Sequence, residues 1–220
     1  MPANGGGRPA AYKTKDGKRV PGVTTVVGRF KDAGGLINWA WKIGLEGGDI
    51  NAVRDQAGGI GKMCHGWIDD EVHGRPLTEF RDATPEDLAA AANGLDAFRT
   101  WRAQVNLEIL STETPHVSEA MRVGGTYDAI GLVHGKASLI DWKTSGRIYP
   151  EYVIQLAAYR EIVRECTGQE LDGAHLLRVG KEFGDFHYHF FPPAILDVGL
   201  EAFRGMRKLY ELDAVLKKVA

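Results

Sequence analysis

The stretch from Gly124 to Tyr159, GGTYDAIGLVHGKASLIDWKTSGRIYPEYVIQLAAY, decides the fold of this chain. Ala129–Val133 and Ala137–Trp142 are apolar-rich segments separated by His134–Gly135, a turn signal, and together they predict a β-hairpin. Asp128 opens the first strand and Asp141 lies near the end of the second. An antiparallel pair sets the start of one strand beside the end of the next, so the two carboxylates converge. Side chains alternate across a strand, which puts Asp141 and Lys143 on one face and Trp142 on the other. Two carboxylates beside an ammonium are costly to bury unless a cation binds between the acids and an anion meets the lysine. A hard divalent ion and a phosphodiester satisfy all three groups. A surface hairpin carrying a local ion pair accounts for Asp141 and Lys143 alone, but leaves Asp128, Gln155 and Tyr159 unexplained.

The residues after the hairpin predict a helix from about Glu151 to Glu165, with Val153, Leu156, Ala157 and Ile162 as its apolar stripe. Gln155 and Tyr159 are four apart and share one face of it. Upstream, Gly61–Ile68 reads as helix with Ile60, Met63, Cys64, Trp67 and Ile68 on one side, and His65 borders that stripe. A histidine so placed is ordinarily a boundary residue of the core, and Tyr159 on its own is ordinarily a core aromatic.

Three linked elements resemble the PD-(D/E)XK nuclease superfamily in its RecB-type exonuclease branch. Gly125-Thr126-Tyr127-Asp128 matches a G-x-x-D element, Ile140-Asp141-Trp142-Lys143-Thr144-Ser145 a D-W-K-T-S element, and Gln155 with Tyr159 a Q-x-x-x-Y element, in the family's order. A lone D-x-K occurs on many solvated strands; three in series are far more specific. The segment Val20–Val27, followed by Leu36–Ala40, is similar to the N-terminal region of phage-encoded exonucleases and of the mitochondrial genome maintenance exonuclease. The resemblance implies an αβββαβ restriction-endonuclease-like α/β core with an N-terminal helical region. It also implies a metal-dependent DNA exonuclease acting on single-stranded ends in recombination, repair or phage DNA processing. Asp128, Asp141, Lys143, Gln155, Tyr159 and Glu113 are then its catalytic residues, with Glu119 as a competitor for the place of Glu113. His65, Asp128, Asp141 and the Trp142 backbone carbonyl would hold Mg²⁺ or Mn²⁺.

Composition agrees. The 220 residues, 44% hydrophobic and 25% charged, suit one soluble domain with a sizeable core. The expected division is a flexible tail over 1–19 and a single domain over 20–220, in which 20–83 is a helical region covering the site and 84–220 the catalytic core. No apolar run approaches membrane-spanning length, so no membrane partner is expected, and Met1–Arg8 lacks the apolar stretch of a secretion signal. Two cysteines, Cys64 and Cys166, suggest a reducing compartment, the cytoplasm of a bacterium or of a phage-infected host. They are too few for an iron–sulfur cluster held by four thiolates. A net charge of −2 argues against a general nucleic-acid coat protein but not against an enzyme with a local basic track. Candidates for that track are Lys13, Lys15, Lys18, Arg19, Arg29, Lys31, Arg147, Arg204, Arg207 and Lys208. The expected partner is DNA, single-stranded, with recombination or replication proteins beside it.

The order read along the chain is helices to about Gln104, strands near Leu107–Val117, Ala120–Val133 and Ala137–Lys143, and a helix. Strands near Ala174–Val179 and Phe186–Phe191 and an amphipathic helix near Ile195–Leu216 complete it. Thr84 before Pro85 is a helix cap, Thr24 or Thr25 could cap another helix, and Asn38–Trp39 looks like the start of a further one. Gly58-Gly59-Ile60-Gly61-Lys62 fails as a phosphate loop, because Gln56 and Met63 stand where the first glycine and the hydroxyl belong. His187 and His189 alternate on a strand without partners for zinc. The rival readings are an endonuclease of the same fold, a non-catalytic nucleic-acid-binding module and a phosphohydrolase acting on nucleotides.

Overall fold

Near-continuous apolar runs in the 129–143 hairpin, buried on both faces, set the centre of the molecule. In the computed structural model, which describes residues 9–31, 34–179 and 185–219, β6 (Ala129–Val133) pairs antiparallel with β7 (Lys136–Lys143) across a turn in which His134 and Gly135 both have positive φ. Around them lie β3 (Glu108–Thr112), β8 (Ala174–Val179) and β9 (Phe186–Phe191), giving the sheet order β3-β6-β7-β8-β9. Only β7 and β8 are parallel, and the connection between them is α5 (Pro150–Thr167). Tyr149 caps α5 with its backbone, and Gly168 ends it at φ 73, a left-handed conformation a glycine adopts without strain.

The two faces of the sheet bury different helices. Leu139, Leu176 and Ala174 pack beneath α5, α1 (Val23–Arg29) and α6 (Pro193–Leu216), with Leu156, Ile162, Leu196 and Phe203 in that layer. Ile140, Trp142, Leu177 and Val179 point to the other side, against α3 (Ile50–Val72) and α4 (Pro85–Gln104) through Ile60, Met63, Cys64, Leu95 and Phe98. A sheet apolar on both faces requires this three-layer α/β arrangement. The order α4-β3-β6-β7-α5-β8 is the expected αβββαβ core. The Thr84 cap is present, its Oγ1 accepting the Asp87 N–H at 3.1 Å.

Several expectations are corrected. The segments 107–117 and 120–133 each form two strands: β4 (Pro115–Ser118) and β5 (Val123–Thr126) make a separate hairpin outside the main sheet. Glu113, left-handed at φ 40, separates β3 from β4, and Arg122, left-handed at φ 50, lies in the turn that joins β4 to β5. The helix at 23–29 is capped by Gly22, not by Thr24 or Thr25, because starting there buries Val23, Val26 and Val27. The next helix, α2 (Gly34–Leu45), begins before Asn38. Residues 1–19 are not wholly a tail. β1 (Tyr12–Lys13) pairs with β2 (Arg19–Val20), and the Tyr12 ring lies on Gly124 with its hydroxyl 2.9 Å from Thr126 Oγ1. Met1–Arg8 lie outside the described residues. No described helix is long and apolar enough to cross a membrane.

Candidate active site

The hairpin register brings the carboxylates together. Ala129 faces Ile140, so Asp128 and Asp141 adjoin at the open end of the β6–β7 pair, and Asp128 Oδ2 accepts the Trp142 backbone N–H at 3.2 Å. Asp141 is 1% exposed. Its Oδ1 accepts from Lys143 Nζ at 2.8 Å. Its Oδ2 is 2.6 Å from the same nitrogen but out of hydrogen-bond alignment, and no other donor reaches it among the described residues. The pair does not shift symmetrically. Burial and then the Asp128 charge raise the Asp141 carboxyl although Lys143 pulls it down. Burial by itself would lower the Lys143 ammonium, but Asp141 and Asp128 outweigh that and raise it, so Lys143 stays cationic.

A cleft of about 540 Å³ opens at this end of the sheet, between α3 on one layer and α1 and α5 on the other. His65, Glu113, Asp128, Lys143 and Gln155 all line it, together with Thr24 and Lys62. His65 stands on α3 with Nδ1 3.9 Å from Asp128 Oδ2 and its ring edge-on to Trp142 at 5.9 Å. Close approach of that helix depends on Gly61, where a Cβ would lie 2.8 Å from Thr144 Oγ1. Glu113 arrives by an irregularity: β3 slips register between Ile109 and Ser111, ends at Thr112, and the Glu113 N–H then bonds the Asp128 carbonyl at 3.1 Å. Its competitor Glu119 accepts from the Lys15 N–H at 2.7 Å and does not line the cleft.

Tyr159 does not line the cleft either. It is 3% exposed against Gly125 and Ile162, and its hydroxyl accepts from Gln155 Nε2 at 3.2 Å. Tyr159 thus fixes Gln155, and Gln155 faces the site. The glycine of the G-x-x-D element has a steric reason, since a Cβ at Gly125 would lie 2.6 Å from the Tyr159 ring. Sequence reading missed Tyr152, whose ring lies 5.6 Å from Lys143 Nζ. It precedes Gln155 by three residues, on the same helical stripe as Gln155 and Tyr159, and that spacing was the available signal.

Among the described residues, no three His, Cys, Asp or Glu side chains stand close enough to hold a metal ion as they are. The expected ligands His65, Asp128 and Asp141 share the site, but Lys143 occupies the approach to Asp141. The donor set nonetheless suits a hard divalent cation: two carboxylates, an imidazole, and a buried Asp141 Oδ2 that accepts no hydrogen bond. The two cysteines are a buried Cys64 and an exposed Cys166, both free.

No family model and no curated protein matches the sequence. Among solved structures the chain is similar to SSO0001, at 18% identity and TM-score 0.32, over 55% of this chain and 60% of that one. It is also similar to a candidate exonuclease from Eubacterium rectale, at 15% identity and TM-score 0.35, over 61% and 68% of the two chains. A third is an alkaline exonuclease from Laribacter hongkongensis, at 14% identity and TM-score 0.35, over 72% and 86%, which has also been solved with dAMP. At these scores the similarity bears no weight for function, which rests on the site itself.

Proposed function

We propose that this chain is a metal-dependent deoxyribonuclease that hydrolyses phosphodiester bonds from single-stranded DNA ends. The observation that carries the reading is the convergence of Asp128, the buried Asp141 and Lys143 at one end of the sheet, beside a cleft that Asp128 and Lys143 line together with His65, Glu113 and Gln155. Asp128 and Asp141, with His65 and the Trp142 carbonyl, are the groups that would hold Mg²⁺ or Mn²⁺. When bound, such an ion polarises a phosphate oxygen and offsets charge developing on it. Lys143 orients the attacking water and stabilises the negative charge that grows on the phosphoryl group, as a cation held beforehand by Asp141 and kept charged by Asp141 and Asp128. Gln155, held by Tyr159, and Glu113, held beside Asp128, position the substrate backbone and the water. A role in recombination, repair or phage DNA processing follows from the resemblance, and a cytoplasmic setting from the low cysteine count.

The preference for ends rests on the layout. His65 enters from α3 on one layer and Gln155 from α5 on the other, and a cleft walled on both sides would admit a threaded strand more readily than a rigid duplex. The test compares linear and circular single strands of one sequence, and free nucleotides, each with and without Mg²⁺ or Mn²⁺. Cleavage of the linear strand alone is expected. Rapid cutting of the circle points to an endonuclease, and cleavage of nucleotides alone to a different phosphohydrolase.

A further inference from the structure

A second and larger cavity, of about 800 Å³, opens beside the site where the segment after Lys143 meets α2 and the start of α5. Lys31, Trp39, Arg147 and Tyr149 line it. The Arg147 guanidinium stacks over the Tyr149 ring at 4.8 Å, and Lys31 Nζ lies 5.8 Å from the same ring. Arg147 is exposed and makes no ion pair among the described residues, whereas Lys31 is partly balanced by Glu151 at 3.7 Å. A chain of side-chain contacts joins the wall of this groove to the candidate active site. Tyr149 packs edge-on against Tyr152 at 5.6 Å, and Tyr152 lies under Lys143 at 5.6 Å. Arg147 itself follows Lys143 by four residues, and its backbone carbonyl is held by the Ser145 hydroxyl at 2.8 Å.

Aromatic faces alternating with cations are what a single strand needs, since bases stack on rings without regard to sequence and phosphates seek Lys or Arg. Duplex DNA keeps its bases stacked inside and offers nothing to Trp39 or Tyr149. Resting on the nuclease reading above, we infer that this groove is the binding track for single-stranded DNA leading to Lys143, with Arg147 and Lys31 on phosphates and Tyr149 and Trp39 on bases.

The experiment measures binding of fluorescent oligothymidylate to the full chain in EDTA, where no cleavage interferes, as a function of salt. The variants are Arg147→Ala, Tyr149→Phe, Tyr149→Ala and, as a control at the far end of β7, Lys136→Ala. Tyr149→Ala is expected to weaken binding on the order of 10-fold. Tyr149→Phe keeps the ring and should bind as the parent, which separates the contribution of the ring from that of the hydroxyl; the α5 cap is a backbone one and survives both substitutions. Arg147→Ala should lower the slope of log affinity against log salt by about 0.7, the value of one single-strand phosphate contact. Parental affinity and slope in both alanine variants overturn the inference, as does a parent that binds no single strand. So does self-association of the chain that Trp39→Ala abolishes while DNA affinity stays unchanged, which assigns the groove to a second copy. A parent that binds through the groove but cleaves nothing with Mg²⁺ or Mn²⁺ sinks the nuclease reading and leaves the groove standing. A parent that cleaves while the variants bind unchanged does the reverse.

Discussion

Replacing Gly125 by alanine tests whether the G-x-x-D element is a packing requirement. A Cβ there would meet Tyr159 Cε1 at 2.6 Å and Cδ1 at 2.8 Å, with Ile162 Cδ1 at 3.3 Å behind them. The ring cannot swing clear, because Tyr159 is 3% exposed and lies among Leu156, Ala158, Ile162 and Val163 on the core side of α5. The clash must be absorbed by displacing α5 or β5, and overpacking of that kind costs typically 1–3 kcal/mol. Gly125 sits in an extended strand without positive φ, so no backbone strain adds to that figure. Moving the ring also moves its hydroxyl, which holds Gln155 at 3.2 Å. Urea denaturation of Gly125→Ala should therefore show a lower midpoint with an unchanged slope, and cleavage should fall by more than the unfolded fraction explains. An unfolding midpoint equal to the parent's would refute the packing argument.

His65→Ala should leave stability within about 1 kcal/mol, since the ring is partly exposed at the edge of the core, while metal affinity falls at least roughly 10-fold. Isothermal titration with Mn²⁺ checks it, and a much lower melting temperature with unchanged metal binding would return His65 to the core. His175 gives a pH prediction. Burial beneath Trp101, Tyr188 and Phe190, with a smaller contribution from His134, lowers its imidazole from 6.5 to about 4. The unfolded chain therefore takes up the proton first, so this stabilisation is complete above pH 6.5 and is lost as pH falls towards 4, by up to about 3 kcal/mol. Urea midpoints of the parent and of His175→Phe should diverge across that window; parallel pH profiles would show that His175 is not held neutral.

The central hairpin was legible because its information is local. Period-two alternation around the His134–Gly135 turn places Asp128, Asp141 and Lys143 without reference to the rest of the chain. The Thr84 cap and the α5 stripe are local in the same way. What escaped depends on distant residues. Tyr12 orders the N-terminal hairpin by packing on Gly124, more than a hundred residues away, and nothing around Tyr12 announces that contact. The split of 107–117 turns on Glu113 adopting left-handed backbone, and the reversal between β4 and β5 on Arg122 doing the same, which non-glycine residues seldom do and sequence does not flag. In the site, the cleft position of Gln155 was foreseen. Tyr159 reads from sequence as a core aromatic until the resemblance makes it catalytic, and it is buried; the place of Tyr152 against Lys143 was not foreseen, because it depends on how α5 rotates over the sheet.

Cleavage of end-labelled single-stranded DNA with Mg²⁺ or Mn²⁺ by the parent, Asp141→Asn and Lys143→Met tests the Asp128–Asp141–Lys143 constellation most directly. The parent should cleave only with the divalent ion. Each variant should stay folded and lose on the order of 100-fold or more in rate, the usual cost of removing a charge that acts in the transition state. Folded Asp141→Asn or Lys143→Met protein that cleaves as fast as the parent, or a parent unaffected by chelator, would contradict the assignment of this site.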